Sequence, residues 1–358
     1  MPTPNYKKEF LIACLAVHRA SILTKMAQGD PIGPKSDGSL VAVADYAAQA
    51  ILISVLRHHF PGDAFVGRVS ASMLREDPVL AQRVWAFVSA MAGVNGGGGN
   101  TGQASAAVVP QSVEEMMGAI EAGGGGNGAE GFQRTWFLDP INGSAAFKRN
   151  QQYAVSVALV EGGEQKVGVI GCPNLAFEST SVHEDVIDKD GYGVMLFAVK
   201  GQGAYIQQMT LSGLGPAQRI SLSPWQRMGE EIMLAESSTS DVIHQEKHKQ
   251  IRDVLLANPV VDLDSMQVKY VALTIGACNA MVWLPRDKDH RFPVWDHAGA
   301  MIIFEESGGK VTDLCGRPFN YARGRRLADN EGLVAAKPGL HAGLLRYSRF
   351  AYERTKSG

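Results

Sequence analysis

Two short segments of this chain carry side chains suited to metal and acid–base chemistry. Residues 136–144 read WFLDPINGS, so Asp139 follows an apolar run and precedes a glycine-containing turn. That is a common position for a ligand carboxylate, although aspartate also caps ordinary turns. Residues 295–299 read WDHAG, and Asp296 is predicted to begin a helix, where free N–H groups favour an anion. The two segments together are more specific than either one alone.

The first segment also contains a residue that weakens a metal site. Asn142 is an amide, which offers one neutral oxygen where a carboxylate offers two charged ones. Mg²⁺ is a hard cation that prefers carboxylate oxygens. The segment therefore predicts a polar site with reduced affinity for Mg²⁺.

Composition limits the classes of protein that this chain can be. Its 358 residues suffice for two packed domains, and 45% hydrophobic with 20% charged residues is ordinary for a globular protein. A net charge of −2 gives no support for binding nucleic acid or a membrane. Four scattered cysteines without C-x-x-C spacing indicate a reducing compartment and no zinc site. The polar first residues do not resemble a signal peptide, so we expect a cytoplasmic protein.

Periodicity predicts helices first, then strands, then an alternation of both. The predicted helices are 7–28, 43–59, 79–93, 111–121, 244–257, 270–276 and 296–307. The predicted strands are 135–138, 153–161, 166–173, 193–199, 203–207, 232–235, 280–284 and 333–336. A turn-like stretch at 211–216 suggests an α+β domain at 1–215 and an α/β domain at 216–358. Glycine-rich stretches at 94–102 and 123–126 are predicted to be flexible loops, because neither has P-loop spacing.

Several further motifs lie between these two segments and on either side of them. Together they make the chain resemble, nearly end to end, the 3′(2′),5′-bisphosphate nucleotidases of the lithium-sensitive inositol monophosphatase superfamily. The resemblance implies a layered α-β-α-β-α sugar-phosphatase fold with the site in a cleft between the two parts. The motifs are VADY at 43–46, FPGD at 60–63, GVIGCPNL at 168–175, DS at 264–265 with KY at 269–270, and WDHA at 295–298.

The family's mechanism uses two or three Mg²⁺ ions that acidic residues hold and that activate a water. By resemblance, Asp139, Asp296 and the carbonyl of Ile141 remain as metal ligands. Asn142 stands where the family has a second aspartate, and Arg68 where it has the first of two paired glutamates.

A water-orienting pair is expected to remain. Asp45 matches the family's aspartate, and Ser144 keeps the hydroxyl of the family's threonine. The resemblance thus implies that two side-chain metal ligands are lost while this pair is kept.

Arg68 is the more damaging of the two changes. A guanidinium stays protonated, so replacing glutamate changes the local charge by two units. Pointing inward, it would repel Mg²⁺ strongly. The alternative is that Arg68 extends outward into solvent, which would leave only a missing ligand.

The substrate side also departs from the nucleotidases. Trp283 stands where the family has a phosphate-binding arginine, and an indole cannot replace a bidentate cation. It offers either a stacking wall or a core side chain. Lys269 is kept and could bind an anion, and Arg286 lies close by in sequence as a partial replacement. The histidine that the family has five residues after Glu236 is absent.

Three functions follow as expectations. The first is a repurposed, metal-independent enzyme that acts on an organic substrate. In it, Arg68 supplies a fixed positive charge and Asp45 or Asp296 acts as acid or base. The second is a ligand-binding or regulatory pseudophosphatase, and the third a weakened nucleotidase.

The expected partner is an anionic or polar small molecule, bound in part by Asn142. No cofactor is expected to be required, although one weakened site could retain Mg²⁺. Family members occur as monomers and dimers, so a homodimer stays open.

Overall fold

Five layers alternate between helices and sheets in this computed structural model. It describes residues 6–29, 39–93, 108–124, 134–226, 231–238, 240, 243–257, 260–287 and 289–353. The helices in these ranges are α1 (Lys7–Gly29), α2 (Ser39–His59), α3 (Ser72–Glu76), α4 (Pro78–Ala90), α5 (Val113–Gly124), α6 (Ser144–Lys148), α7 (Gln245–Leu255), α8 (Met266–Thr274), α9 (Ala298–Glu306) and α10 (His341–Glu353). Two 3₁₀ turns accompany them, at Met91–Gly93 and Val294–Asp296.

An eight-stranded sheet forms the first β layer. Its order is β1 to β7 in sequence, with β8 added beside β6, and only the β1–β2 pair is parallel. The strands are β1 (Ala64–Val66), β2 (Arg134–Asn142), β3 (Ala154–Glu161), β4 (Glu164–Cys172), β5 (Val194–Val199), β6 (Ala204–Thr210), β7 (Gly213–Leu214) and β8 (Gln218–Ile220).

A five-stranded sheet forms the second β layer. Its order is β10-β9-β11-β13-β12, with β9 parallel to both of its neighbours and β13 antiparallel to its two. The strands are β9 (Leu234–Glu236), β10 (Val261–Asp262), β11 (Ala280–Trp283), β12 (Lys310–Thr312) and β13 (Leu333–Ala336).

Helices cover both sheets. Helices α1 and α2 pack on the outer face of the large sheet, α8 and α9 lie between the sheets, and α7 and α10 pack together with α10 on β13. The layered α-β-α-β-α fold predicted from the sequence is therefore confirmed. Asp77 and Ser265 fix two helix starts, since each side chain accepts a backbone N–H bond at the N-cap of α4 and α8.

Helix α1 is long and apolar enough, by length and composition, to pass a test for membrane-spanning segments over Lys7–Gln28. In the folded chain, 67% of an 18-residue stretch of this helix is buried. The burial comes from α2 and from strands β3 and β4, which is how a core helix packs.

The predicted helices and strands agree with the observed ones in type more closely than in their first and last residues. Helix α8 begins at Met266 rather than at Tyr270, since Ser265 supplies the N-cap. The predicted helix at 296–307 was wrong at its start, because Asp296 closes a 3₁₀ turn and α9 begins at Ala298. The 211–216 stretch contains β7, which turns back onto β6.

The domain boundary predicted at 215 and the two predicted glycine-rich loops differ in how they compare with the structure. Strand β8 lies beyond the predicted boundary at 215 and still belongs to the large sheet, while the two-domain division stays a prediction. Of the glycine-rich stretches, 94–102 lies outside the described residues. The prediction of a loop at 123–126 was wrong for Gly123 and Gly124, which end α5.

The contact between α9 and the large sheet gives a stability prediction. A Cβ at Gly168 of β4 would lie 2.4 Å from Ile302 Cγ2 and 2.6 Å from the Gly299 carbonyl oxygen. Gly168→Ala is therefore expected to lower the free energy of unfolding by about 1–3 kcal/mol through overpacking. Gly118→Ala is the control, because a Cβ there, inside α5, meets nothing within 4 Å and should stabilise by about 0.5–1 kcal/mol. Equal urea midpoints for both variants would contradict this packing.

Candidate functional site

The end of β2 shapes the site through a register shift. Asp139 pairs with Ser156 and Asn142 with Ala154, so two strand residues lie outside the regular ladder. Proline at 140 has no N–H to give to the ladder, which accounts for the irregularity. The chain then turns at Gly143, whose φ is +93°, into α6. Asp139, Asn142 and the Ile141 carbonyl consequently lie together at one end of the large sheet.

The guanidinium of Arg68 binds this turn directly. Its Nη1 donates to the Ile141 carbonyl at 2.8 Å and to Ser144 Oγ at 2.8 Å. The same nitrogen lies 3.9 Å from Asp45 Oδ1, an ion pair too long for a hydrogen bond. The charges of Asp45, Asp139 and Asp296 raise the pKa of Arg68, although burial opposes them. The expectation that Arg68 extends outward is wrong, because the acidic cleft attracts the guanidinium.

The backbone around Arg68 is held on both sides. Gln49 Nε2 donates to the Val69 carbonyl at 2.6 Å, and Val69 N donates to Gln49 Oε1 at 3.0 Å. Gly67 N donates to the Gly123 carbonyl at 2.8 Å. Arg325 adds a bond of 2.7 Å from Nη2 to the Gly67 carbonyl. Arg68 therefore enters the site from a rigid segment.

Asn142 connects the carboxylates to α8. Its Nδ2 donates to Asp139 Oδ2 at 2.8 Å and to Asp296 Oδ1 at 3.2 Å. Its Oδ1 accepts from Ser265 Oγ at 2.7 Å and from Gln267 N at 3.1 Å. The Asn142 amide therefore lies between Asp139 and Asp296 and donates an N–H group to each.

Sequence reasoning missed Ser265 and Gln267 as site residues. Gln267 Nε2 donates to Asp139 Oδ2 at 3.3 Å. The available signal was their place within the DS–KY motif. A Cβ at Gly143 would lie 2.8 Å from Ser265 Cβ, so this close approach depends on glycine.

Asp139 and Asp296 lie on either side of the Asn142 amide, which donates to both. Burial raises the pKa of Asp139 and Asp296, and the negative charge of Asp139 raises that of Asp296 further, while Arg68 opposes both shifts. The two carboxyl groups therefore titrate as a coupled pair whose protons are held more tightly than that of an ordinary aspartate. Carboxylate pairs this close do not ionise together.

The arrangement does not fit Mg²⁺. The Ile141 carbonyl, a ligand in the family, accepts from Arg68, and N–H groups of Asn142 and Gln267 point at the acids that would bind metal. Mg²⁺ requires oxygen ligands in near-octahedral geometry, and an N–H group or a guanidinium cannot be one of them. Among the residues that the structure describes, no group of three or more His, Cys, Asp or Glu side chains is placed to hold a metal ion.

The other predicted site residues occupy different positions. Ser144 does not pair with Asp45 among the described contacts; its Oγ accepts from Arg68 and lies 3.5 Å from the Ile141 carbonyl. Arg286 is exposed and does not line the cavity beside the acids, because the chain leaves the sheet after β11. Its position therefore does not support the expectation that Arg286 partly replaces the family's phosphate-binding arginine.

A cavity of about 290 Å³ opens beside the acids. Asp296, Lys269 and Trp283 line it together. Burial lowers the pKa of Lys269 to about 8, although neighbouring carboxylates, Asp264 foremost, oppose the shift. Trp283 is 6% exposed, so it is both a core side chain and part of the cavity wall. The cavity therefore joins a cation, a carboxyl group and an aromatic surface.

Removing the Arg68 guanidinium should cost stability. Arg68→Leu removes two hydrogen bonds and leaves three acids without their nearby cation, so it is expected to lower the free energy of unfolding by about 1–2 kcal/mol at pH 8. The electrostatic part is reduced by solvent screening, since 37% of the Arg68 side chain is exposed. Arg75→Leu is the control, because its pair with Glu121 at 3.2 Å is exposed and worth about 0.5 kcal/mol. Urea unfolding measures both. Equal losses in the two variants would contradict an inward, charge-compensating Arg68.

Asp45 gives a prediction about pH. Burial raises its pKa to about 7, with a further rise from Asp139 and an opposing effect of Arg68. The folded protein thus holds this proton more tightly than the unfolded chain does. The resulting stabilisation is complete below the ordinary pKa of aspartate and is lost as pH rises to about 7.

Asp45→Asn cannot ionise, so its unfolding free energy relative to the unmodified protein should increase between pH 4 and pH 8. The expected increase is a few kcal/mol, at about 1.4 kcal/mol per pKa unit. Asp190→Asn, at an exposed carboxylate, should show no such trend. A pH profile of Asp45→Asn parallel to that of the unmodified protein would refute the buried, proton-holding carboxyl.

Comparisons with known proteins agree with this fold. A model of the inositol monophosphatase family matches residues 103–352. A 3′(2′),5′-bisphosphate nucleotidase from Emericella nidulans is 35% identical over 341 residues, which cover 93% of this chain and 95% of that protein. The 3′,5′-bisphosphate nucleotidase 2 of Arabidopsis thaliana is 31% identical over 358 residues, covering 98% of each.

Solved structures share the fold at lower identity. Inositol monophosphatase II from Staphylococcus aureus MSSA476 matches with a TM-score of 0.61 and 16% identity, over 97% of each chain. CysQ from Bacteroides thetaiotaomicron, described as a bacterial member of the same family, matches with a TM-score of 0.59 and 15% identity over 94% of this chain and 99% of that one. Since the family model and the relatives extend over most of its length, the chain belongs to the inositol monophosphatase family.

Proposed function

We propose that this chain is a metal-independent member of its family, in which the Arg68 guanidinium takes the place of the divalent cation. The contact of Arg68 with both the Ile141 carbonyl and Ser144 Oγ carries the proposal. A guanidinium is permanently charged, so the cleft keeps one positive charge without Mg²⁺. It differs from a metal in that it cannot coordinate and activate a water.

The proposed activity is acid–base chemistry on a small organic molecule in the adjoining cavity. Asp296 is the group that both lines the cavity and belongs to the carboxyl network. It is placed to donate a proton to a bound ligand, and Asn142 Nδ2 and Arg68 would then stabilise the carboxylate that remains. Arg68 acts through this network at a distance from the ligand.

The family's own reaction is the second candidate. The named relatives are bisphosphate nucleotidases at 31–35% identity, and Asp139, Asp296 and Lys269 are kept. A weakened nucleotidase would need Mg²⁺ to displace Arg68 from the Ile141 carbonyl. A third outcome, ligand binding without turnover, would leave the same cleft as a regulatory binding site.

Calorimetry with Mg²⁺ or Mn²⁺ separates these candidates. We expect no binding heat at millimolar metal for the unmodified protein and no release of phosphate from adenosine 3′,5′-bisphosphate. The double variant Arg68→Glu with Asn142→Asp restores two carboxylates, so it should bind metal in the millimolar range. Arg68→Lys with Asn142→Asp is the matched control, which keeps the positive charge and should bind none.

Two results would reject the proposal. One is saturable Mg²⁺ binding to the unmodified protein together with Mg²⁺-dependent phosphate release. The other is metal binding by the lysine control equal to that of the glutamate variant, since the charge at position 68 would then be irrelevant.

A further inference from the structure

The cavity beside Asp296 has an aromatic wall. The Trp283 ring lies 4.3 Å from the Phe292 ring and 5.0 Å from the His290 ring, measured between centroids. All three line the cavity, as does the apolar side chain of Met266. A wall of this kind favours a flat, apolar ligand surface.

Two carboxylates that line the cavity pair with arginines that do not line it, and His248, which does line it, also contacts one of them. Glu236 pairs with Arg252 and with His248, and these contacts hold the pKa of Glu236 below its ordinary value although burial opposes them. Asp264 forms an ion pair with Arg149. Neither arginine lines the cavity.

Two fixed cations line the cavity itself. Lys269 is 5% exposed, whereas Arg326 is exposed and donates from Nη1 to the Arg291 carbonyl at 3.0 Å. One buried ammonium matches one anionic group. A nucleoside bisphosphate carries about −3 to −4 near neutral pH, at −1.5 to −2 for each phosphate. Lys269 and Arg326 would offset at most two of those charges, so without metal ions the remaining phosphate charge would be uncompensated in the cavity.

We infer that the cavity binds a planar, largely apolar molecule that carries a single carboxylate, with its ring against Trp283 and its carboxylate on Lys269. This inference rests on the proposed metal-independent cleft, and it makes Trp283 and Lys269 the residues that decide specificity. A bisphosphate is disfavoured by charge. A flat neutral molecule lacks the contact with the ammonium group.

Three probes test this inference by calorimetry on the full chain. They are 2-naphthoate, the neutral 2-naphthalenemethanol with the same ring system, and adenosine 3′,5′-bisphosphate. In EDTA, 2-naphthoate should bind at least about tenfold more tightly than either other probe, since a charged hydrogen bond contributes about that factor. If the bisphosphate binds as tightly, or if 2-naphthoate does not bind, the inference is overturned.

Substitutions at Lys269 and Trp283 test which residue makes which contact with the probes. Lys269→Gln should weaken 2-naphthoate about tenfold and leave 2-naphthalenemethanol within about twofold, a split that general unfolding of the cavity would not produce. Trp283→Ala should weaken both naphthyl probes, whereas Trp283→Phe keeps a ring and should stay within about threefold of the unmodified protein. Equal affinity of 2-naphthoate for the Lys269→Gln variant and the unmodified protein would overturn the assignment.

Repeating the titrations in millimolar Mg²⁺ separates this inference from the proposed function. If Mg²⁺ creates tight bisphosphate binding and hydrolysis, the metal-independent function fails as well. If the protein binds no Mg²⁺ and also no 2-naphthoate in either buffer, the ligand class alone is wrong.

Discussion

The contact of the Arg68 guanidinium with the Ile141 carbonyl and Ser144 Oγ is the interaction on which the organisation of the cleft depends. It places a permanent positive charge where Asp45, Asp139 and Asp296 converge. Three buried carboxyl groups without a cation would repel one another. Here the Arg68 guanidinium opposes that repulsion, and burial raises the pKa values of Asp139 and Asp296, which favours their neutral forms. Asp45 Oδ1 and Asp139 Oδ1 are nevertheless buried without a hydrogen-bond partner, and the guanidinium approaches Asp45 Oδ1 only to 3.9 Å.

Asn142 also contacts the acids Asp139 and Asp296, but as a neutral amide. Its amide points N–H groups at Asp139 and Asp296 and its oxygen at the start of α8, so it joins the large sheet to the helices between the two sheets. An aspartate at this position would add a fourth carboxyl group to the cluster. Arg68 thus supplies positive charge to the cluster, and Asn142 adds no negative charge to it.

The sequence predicted the layered fold, because the family motifs occur in order along nearly the whole chain. It predicted only part of the cleft, since Arg286 lies outside the cavity and Ser144 binds Arg68 rather than Asp45. It identified Arg68 and Asn142 as departures from those motifs, but left open whether Arg68 points inward. That choice depends on Gln49 and Arg325, which are distant in sequence and hold the segment around Arg68 from two sides. Ser265 and Gln267 were missed for the same reason, since only the approach of α8 to Gly143 brings them to Asn142.

The most direct test of the account is anomalous diffraction from crystals soaked in millimolar Mn²⁺. Mn²⁺ takes the same oxygen ligands as Mg²⁺ and is visible by its anomalous signal. The account predicts no anomalous peak in the cleft and a guanidinium bound between the Ile141 carbonyl and Ser144 Oγ. A peak within coordination distance of Asp139 and Asp296, with Arg68 turned away from Ile141, would contradict it.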